Sequence, residues 1–287
     1  MKKSTHPLMQ LLVMLAIALG MLLISSIISV PFLLSDASSR PVMLVVQSLT
    51  QLLTFLVPVV LTTVIYYRTS MREYYSLNFS GRYWYYALVG AVVTLLLLPA
   101  IDWLTTWNDS WNLGRVGELL RSVQNQTEGI MKDILSTDTV WGLIGNLLVV
   151  ALIPAVSEEV FFRAGFQNLI QKWVKNPHVA IWITALIFSL AHGEVFSFMP
   201  RFVLGALLGY LYVYGGSLLP NMVAHFVNNA IVVVLYWLVA RGVLDIDPEA
   251  PLALDWSLTV CCTVAALVLF VVTFLRGEKN IKMLKIG

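Results

Sequence analysis

The chain has 287 residues, of which 59% are hydrophobic and only 12% are charged. This charged share is about half that of an ordinary soluble domain, and a soluble core of this length could not bury so much apolar surface. The net charge of +2 is too small to indicate a nucleic-acid partner. The composition therefore argues against a soluble protein and predicts an all-α, polytopic membrane protein.

Eight apolar stretches follow one another along the chain, and a membrane-spanning helix needs about 20 such residues. The first begins behind Lys2 and Lys3 and is about twice as long as the apolar core of a signal peptide, so we expect a retained membrane helix. Gly215-Gly216-Ser217 and Pro220 separate the sixth and seventh stretches. The predicted spans are 8–34, 41–67, 84–107, 139–165, 179–198, 202–215, 217–240 and 256–275.

Basic residues predict the orientation of these spans, because cytoplasmic loops are enriched in Lys and Arg. With a cytoplasmic N-terminus, eight spans place most Lys and Arg inside and leave the acidic loop 242–255 outside. Seven spans would put the basic C-terminal tail outside. We therefore expect a bundle of about eight spans with both termini cytoplasmic.

The predicted organisation has four parts and no second soluble domain. Residues 1–107 hold the first three spans, and 108–138 form a polar connection whose weak apolar periodicity predicts an amphipathic surface helix. Residues 139–241 hold spans four to seven, and 242–287 hold the last span and a basic cytoplasmic tail. The candidate functional residues concentrate in the third part.

Ionisable residues inside spans are costly, so each is a candidate functional residue. Helix rise is about 1.5 Å per residue, and it places the polar groups of three spans at a similar depth in the membrane. We expect these helices to bring carboxylate and imidazole groups together. The three clusters are Ser157-Glu158-Glu159-Val-Phe-Phe-Arg163, Phe188-Ser-Leu-Ala-His192 and His225-Phe-Val-Asn-Asn229.

Helical spacing distinguishes the two adjacent glutamates. Glu159 and Arg163 are four residues apart with the acid first, which is the favourable order for an ion pair. Glu158 lies about 100° further round the helix, so we expect a lone carboxylate suited to general base and acid work. His225 and Asn229 are also four residues apart and can present two donors on one face.

Each feature also has a structural explanation. The pair Glu159–Arg163 alone is more often structural than catalytic, and a single buried histidine or asparagine often joins transmembrane helices. Phe188 has the character of a core aromatic, and His192 could mark a helix end. Pro154, which has no N–H, is expected to open the fourth span before the acidic pair. Only the occurrence of three clusters on three spans favours an active site.

Together the motifs resemble a known family. Glu-Glu-x-x-x-Arg, Phe-x-x-x-His and His-x-x-x-Asn, each on its own hydrophobic helix, are similar to the motifs of the CAAX-protease and bacteriocin-processing-enzyme (CPBP, or Abi) family. All three match without departure, and the resemblance covers roughly residues 139–236. The first three spans carry no mark of the family. The resemblance implies an intramembrane endopeptidase that hydrolyses a peptide bond of a membrane-associated protein or peptide.

The resemblance also implies a role for each motif residue. A catalytic glutamate, aided by a histidine, would activate water, and a histidine with an asparagine would hold the oxyanion. These residues are, in that order, Glu158, His192, His225 and Asn229. The supporting residues would be Glu159, Arg163 and Phe188.

Zinc is an open alternative to direct activation of water by glutamate. Two histidines and a glutamate are ligand types of catalytic zinc, and here the ligands would be Glu158, His192 and His225. The family is described both as metalloproteases and as glutamate-type proteases. Because the helical His-Glu-x-x-His arrangement is absent, we favour the glutamate without a metal.

Two other functions compete with the protease. A secondary transporter also places acids and histidines at mid-membrane, but no inverted repeat is visible in this sequence. A catalytically silent scaffold or immunity protein would be favoured by loss of motif residues, and all of them are present.

The expected partners are the lipid bilayer and a peptide or protein substrate, with no nucleic acid. A prenylated CAAX protein and a bacteriocin-type leader are both compatible substrates. The simple helix-loop design favours a bacterial inner (cell) membrane as the location.

Overall fold

The computed structural model describes residues 5–33, 39–67, 77, 79–251 and 254–275, and its regular elements there are all helices. A bilayer offers no hydrogen bonds to the backbone, so an apolar chain satisfies its N–H and C=O groups within helices. The all-α prediction is confirmed. The helices are α1 (Pro7–Leu33), α2 (Arg40–Tyr66), α3 (Gly81–Asp109), α4 (Gly114–Leu135), α5 (Val140–Val174), α6 (Pro177–Ala191), α7 (Phe198–Gly215), α8 (Leu219–Ala240) and α9 (Trp256–Phe270).

Seven of the described helices are long and apolar enough to cross a membrane, which makes the chain a multi-pass membrane protein. The remaining apolar helix, α6, has 15 residues. Its length is about 22 Å, shorter than the hydrocarbon core of about 30 Å. The orientation of the termini stays a prediction, since much of the basic sequence behind it lies outside the described residues: Lys2, Lys3, Arg68, Arg72 and the tail 276–287.

The boundary between the predicted fifth and sixth spans, 179–198 and 202–215, was wrong. The structure ends α6 at Ala191, adds a short 3₁₀ turn at Val195–Ser197, and starts α7 at Phe198. Gly193 has a φ of +71°, a left-handed conformation that ends a helix and favours glycine. His192 therefore lies at the end of α6 rather than within a span.

Prolines shape α2 and α5. Each helix has a π-helical stretch just before a proline, Leu52–Leu56 before Pro58 and Leu147–Leu152 before Pro154. In both, the N–H of the residue before the proline bonds to the carbonyl five residues earlier. The wider turn accommodates the proline ring and its missing donor. In α5 this turn lies where Pro154 was expected to open the helix.

The middle of α5 is the centre of the bundle. Every residue from Ser157 to Ile170 is buried. Helices α1, α2, α6, α7 and α8 all contact α5. A helix buried on all sides can carry charged side chains through a membrane, because protein groups rather than lipid surround them.

Glycines bring α7 close to α5 and α6. Arg163 Nη2 donates to the carbonyl of Gly205 at 3.0 Å, and Gln167 Nε2 donates to that of Gly209 at 3.3 Å. A Cβ at either glycine would come within 3.1 Å or less of an α6 side chain. Small residues at this spacing let helix backbones approach, and the two polar side chains then join α5 to α7.

The polar connection contains a helix, α4, where the sequence predicted one, and its position on a membrane surface stays a prediction. Most of α4 is exposed, including apolar side chains such as Leu119 and Val123. Its buried Gln124 accepts from the N–H of Phe196, in the turn after His192. The helix thus supports the chain segment between α6 and α7.

Candidate active site

Two adjacent carboxylates of α5 form the centre of the candidate site, and Glu159 is the more enclosed. Arg163 Nη1 donates to Glu159 Oε1 at 2.7 Å, and both side chains are 0% exposed. The predicted ion pair is therefore present. Asn221 Nδ2 donates to the other oxygen of Glu159 at 2.6 Å. Hydrogen bonds to both oxygens of Glu159 offset part of the cost of burying this ion pair.

Arg163 has contacts besides the one to its carboxylate partner. Its guanidinium carbon lies 4.7 Å from the centre of the Phe188 ring, a cation–π contact. Together with the bond to the Gly205 carbonyl, this contact fixes the guanidinium between α5, α6 and α7. Arg163 is thus a structural cation of the bundle core.

His225 of α8 links the two glutamates. Its Nδ1 lies 2.9 Å from Glu159 Oε1. A carboxylate can only accept, so Nδ1 carries the hydrogen. The opposite nitrogen, Nε2, lies 3.9 Å from Glu158 Oε2, which is longer than a direct hydrogen bond. Oε2 of Glu158 therefore has no direct hydrogen bond from His225.

Glu158 has a partner that the sequence did not indicate. Gln51 Nε2 donates to Glu158 Oε1 at 3.0 Å. The expectation of a lone carboxylate was therefore wrong. Gln51 comes from α2, 107 residues away, and no spacing within one helix could reveal the contact. The other oxygen, Oε2, is buried and accepts no hydrogen bond from the described residues.

His192 and Phe188 approach the site from α6. His192 Nδ1 bonds to the Phe188 carbonyl at 2.8 Å, and the residue is exposed. Phe188 is buried, with ring centres 4.9 Å from His192 and 6.0 Å from His225. Phe188 therefore packs between the two histidines. The charged neighbours of His192 include Glu158.

Asn229 lies one helical turn beyond His225 on α8. Its Oδ1 accepts from Asn228 Nδ2 at 3.2 Å, and its side chain is half-buried. Among the described contacts, none joins Asn229 to Glu158 or His225. The structure therefore brings most of the predicted residues together and leaves Asn229 at the edge of the group.

Sequence reasoning missed Gln51 and Asn221. Asn221 is fully buried and completes the hydrogen bonds of Glu159. A signal for it exists, because Asn221, His225 and Asn229 recur every fourth residue and share one face of α8. For Gln51 no comparable signal exists.

The alternative zinc site does not fit this arrangement. Within the described part of the chain, no three His, Cys, Asp or Glu side chains are grouped closely enough to hold a metal ion. The Nδ1 atoms of His225 and His192 are engaged by Glu159 and a backbone carbonyl, an arrangement that metal-ligating histidines also show, so the misfit rests on the spacing of the side chains. The side chains as placed form a hydrogen-bonded cluster rather than a metal-ligand set.

Comparison with known proteins supports the family resemblance. Residues 140–231 match a family model described as Type II CAAX prenyl endopeptidase Rce1-like. The chain is also 30% identical over 107 residues to the "Uncharacterized protein YpbD" of Bacillus subtilis (strain 168). That alignment covers 36% of this chain and 50% of the relative, so the chain spans about half the length of the curated relative. No solved structure matches the chain significantly.

The matched segment runs from the start of α5 into α8 and contains all three motifs. It leaves out α1 to α4 and therefore Gln51. Residues 140–231 thus match the family model of CAAX prenyl endopeptidases, which agrees with the resemblance that the three motifs indicated.

Proposed function

We propose that this protein is an intramembrane endopeptidase that hydrolyses a peptide bond of a membrane-associated protein or peptide. The family match supports a protease-type enzyme, and the seven apolar helices support a site within the membrane. One observation carries the proposal. Glu158 Oε2, a buried acceptor, faces the Nε2 atom of His225 across 3.9 Å.

The charges of Glu158, Glu159 and Arg163 support different roles for Glu158 and His225. Two carboxylates and the guanidinium of Arg163 leave one negative charge uncompensated. Nδ1 of His225 donates to Glu159, so His225 must carry hydrogens on both ring nitrogens for Nε2 to donate to an oxyanion. Glu158 supplies the carboxylate that accepts a proton in this proposal.

The reaction follows from this arrangement. Glu158 Oε2 takes a proton from water, and the hydroxide attacks the carbonyl carbon of the peptide bond. The resulting oxyanion accepts hydrogen bonds from His225 Nε2 and the Asn229 amide. Glu158 returns its proton to the leaving amine as the C–N bond breaks. His192, at the exposed end of α6, helps hold the water.

Four further residues act by holding these groups. Glu159 fixes the ring of His225 through Nδ1, as a carboxylate does for a catalytic histidine. Arg163 and Asn221 hold Glu159 in turn. Phe188 packs against both histidines and limits their movement.

The substrate class follows from the setting. A site enclosed by apolar helices suits a peptide that is itself anchored in or on the bilayer. A prenylated CAAX protein and a bacteriocin-type leader both meet this condition, in the inner membrane of a bacterium.

Substrate profiling tests the proposal. Membrane peptides are compared between cells that carry the wild-type protein and cells that carry Glu158→Gln at equal levels. We expect a set of new peptide termini that requires Glu158. Identical termini in both cells would contradict the proposal, and so would solute flux in vesicles without cleavage. Glu118→Gln, on the exposed surface of α4, is the matched control and should behave as wild type.

A further inference from the structure

Gln51 lies outside the segment that matches the family, yet it contacts the glutamate assigned to catalysis. We infer that Gln51 is a positioning residue, whose amide holds Glu158 so that Oε2 faces His225. This inference rests on the proposed function. It assigns part of the site to α2, one of the helices in which the sequence shows no family motif.

The hydrogen bond of Gln51 selects between the two oxygens of Glu158. Gln51 Nε2 donates to Oε1, and Oε2 accepts nothing from the described residues. A carboxylate bound through one oxygen is restricted in rotation, so the other oxygen keeps a fixed direction. Here that direction is toward His225 Nε2. The geometry therefore leaves Oε2 of Glu158 without a described partner and directed toward His225.

The donor to Glu158 is neutral, whereas Glu159 has a cation. Arg163 forms a charged pair with Glu159 inside the protein. The amide of Gln51 orients Glu158 through a hydrogen bond and carries no charge itself. The adjacent glutamates thus have partners that match different tasks.

Aromatic packing fixes the register of α2 against α5. Phe55, one turn after Gln51, has ring centres 5.4 Å from Phe161 and 5.7 Å from Phe162. These two residues lie about one turn after Glu158. The aromatic contact therefore runs parallel to the Gln51–Glu158 bond and holds the two helices at the level where that bond forms.

The amide of Gln51 has a second feature that mere packing does not explain. Its Oε1 is buried and has no hydrogen-bond partner among the described residues. Leaving a buried acceptor unpaired costs about 1–3 kcal/mol. An apolar side chain of the same size would avoid this cost, so the hydrogen bond to Glu158 is what glutamine adds at this position.

Kinetic comparison of Gln51 variants tests the inference, with a substrate identified by profiling. Gln51→Met keeps the volume and removes the donor, and Gln51→Asn keeps the amide but withdraws it by one methylene. We expect both to lower kcat by about 10–100-fold with little change in KM, as for other residues that orient catalytic groups. Gln47→Met, one turn earlier on α2, is the matched control and should retain wild-type kcat.

Infrared spectroscopy of the purified protein adds a measurement that needs no substrate. The carboxylate band lost in Glu158→Gln is expected to shift in Gln51→Asn and Gln51→Met but not in Gln47→Met. If Gln51→Met fails to fold, Gln51→Asn decides the question. A glutamine that only joined the two helices could be replaced by asparagine without a loss of kcat. Wild-type kcat and an unshifted band in Gln51→Asn would overturn the inference.

Different results would contradict the proposed function and the positioning role of Gln51. If Glu158→Gln retains full turnover, the proposed function fails. If Glu158→Gln is inactive while Gln51→Asn and Gln51→Met keep full kcat, only the positioning role fails.

Discussion

Glu158 and Glu159 are adjacent in sequence, but their side chains have different partners in the structure. Glu159 accepts from Arg163, Asn221 and His225, which uses both of its oxygens. Glu158 accepts from one amide and keeps one oxygen free of described partners. The first arrangement stabilises a buried charge, and the second leaves a carboxylate available for proton transfer.

Removal of Arg163 tests the role of this residue in stability. Arg163→Ala leaves Glu159 buried without its cation, which costs about 3–5 kcal/mol for a buried pair. We expect a clear fall in the midpoint of thermal unfolding in detergent, together with loss of activity. The double variant Glu159→Gln/Arg163→Met should recover part of the stability but not the activity. An Arg163→Ala protein as stable as wild type would rule out the structural ion pair.

Replacement of Asn221 tests how Glu159 is held. Asn221→Leu removes the 2.6 Å hydrogen bond to Glu159 Oε2 and leaves that oxygen buried without a donor. The expected loss of stability is about 1–3 kcal/mol, measured by thermal unfolding. Because Glu159 in turn fixes His225, kcat should fall by about 10-fold or more. Unchanged stability and kcat would show that the hydrogen bond is dispensable.

Local spacing explains which residue contacts were predictable. The ion pair Glu159–Arg163 lies on one helix at four-residue spacing, so the sequence specifies it directly. The contact between Gln51 and Glu158 joins helices far apart in the chain, and only their packing creates it. The asparagine at 221 lies between these cases, because its spacing to His225 is visible but its partner on α5 is not.

At the scale of helices, hydropathy located the spans better than their ends. Apolar length predicted each long helix, since the bilayer imposes that length. The end of α6 was missed because Gly193 lies between apolar stretches, and its left-handed conformation depends on the fold. The π-helical turns before Pro58 and Pro154 likewise arise from how the helix accommodates a proline.

A substitution at Gly209 tests the close packing of α5, α6 and α7. A Cβ there would lie 2.9 Å from Ile181 Cγ2 and 3.0 Å from Gln167 Oε1. We expect Gly209→Val to lower stability by about 1–3 kcal/mol through overpacking. Gly129→Ala, on exposed α4 with nothing within 4 Å, should leave the unfolding midpoint unchanged or raise it. Equal midpoints for Gly209→Val and wild type would show that the helices are not in close contact there.

At the scale of the molecule, the short α6 decides the topology. If α6 crosses the membrane in addition to the seven longer helices, the number of spans is even. Both termini are then cytoplasmic, as the basic residues predict. A C-terminal green fluorescent protein fusion should then fluoresce, and a C-terminal alkaline phosphatase fusion should be inactive. Phosphatase inserted after residue 247, in the acidic loop, should be active. An active C-terminal phosphatase fusion would instead indicate an odd number of crossings.

Helices from both the N-terminal part and the matched segment contribute to the candidate site, although the family match covers only 140–231. Glu158 and Glu159 come from α5, His192 from the end of α6 and His225 from α8, all within that segment. Gln51 comes from α2, which the match does not include. The N-terminal helices are therefore expected to do more than anchor the protein, because Gln51 of α2 donates a hydrogen bond to Glu158, the carboxylate that we propose as catalytic.

Turnover of purified Glu158→Gln is the most direct test of this account. The midpoints of thermal unfolding of wild type, Glu158→Gln and Glu118→Gln are first shown to be equal. Each protein in lipid nanodiscs is then incubated with a peptide that the wild-type protein cleaves. We predict that Glu158→Gln folds normally and has no measurable turnover, while Glu118→Gln cleaves as fast as wild type. Cleavage by Glu158→Gln at the wild-type rate would contradict the assignment of Glu158 as the group that activates water.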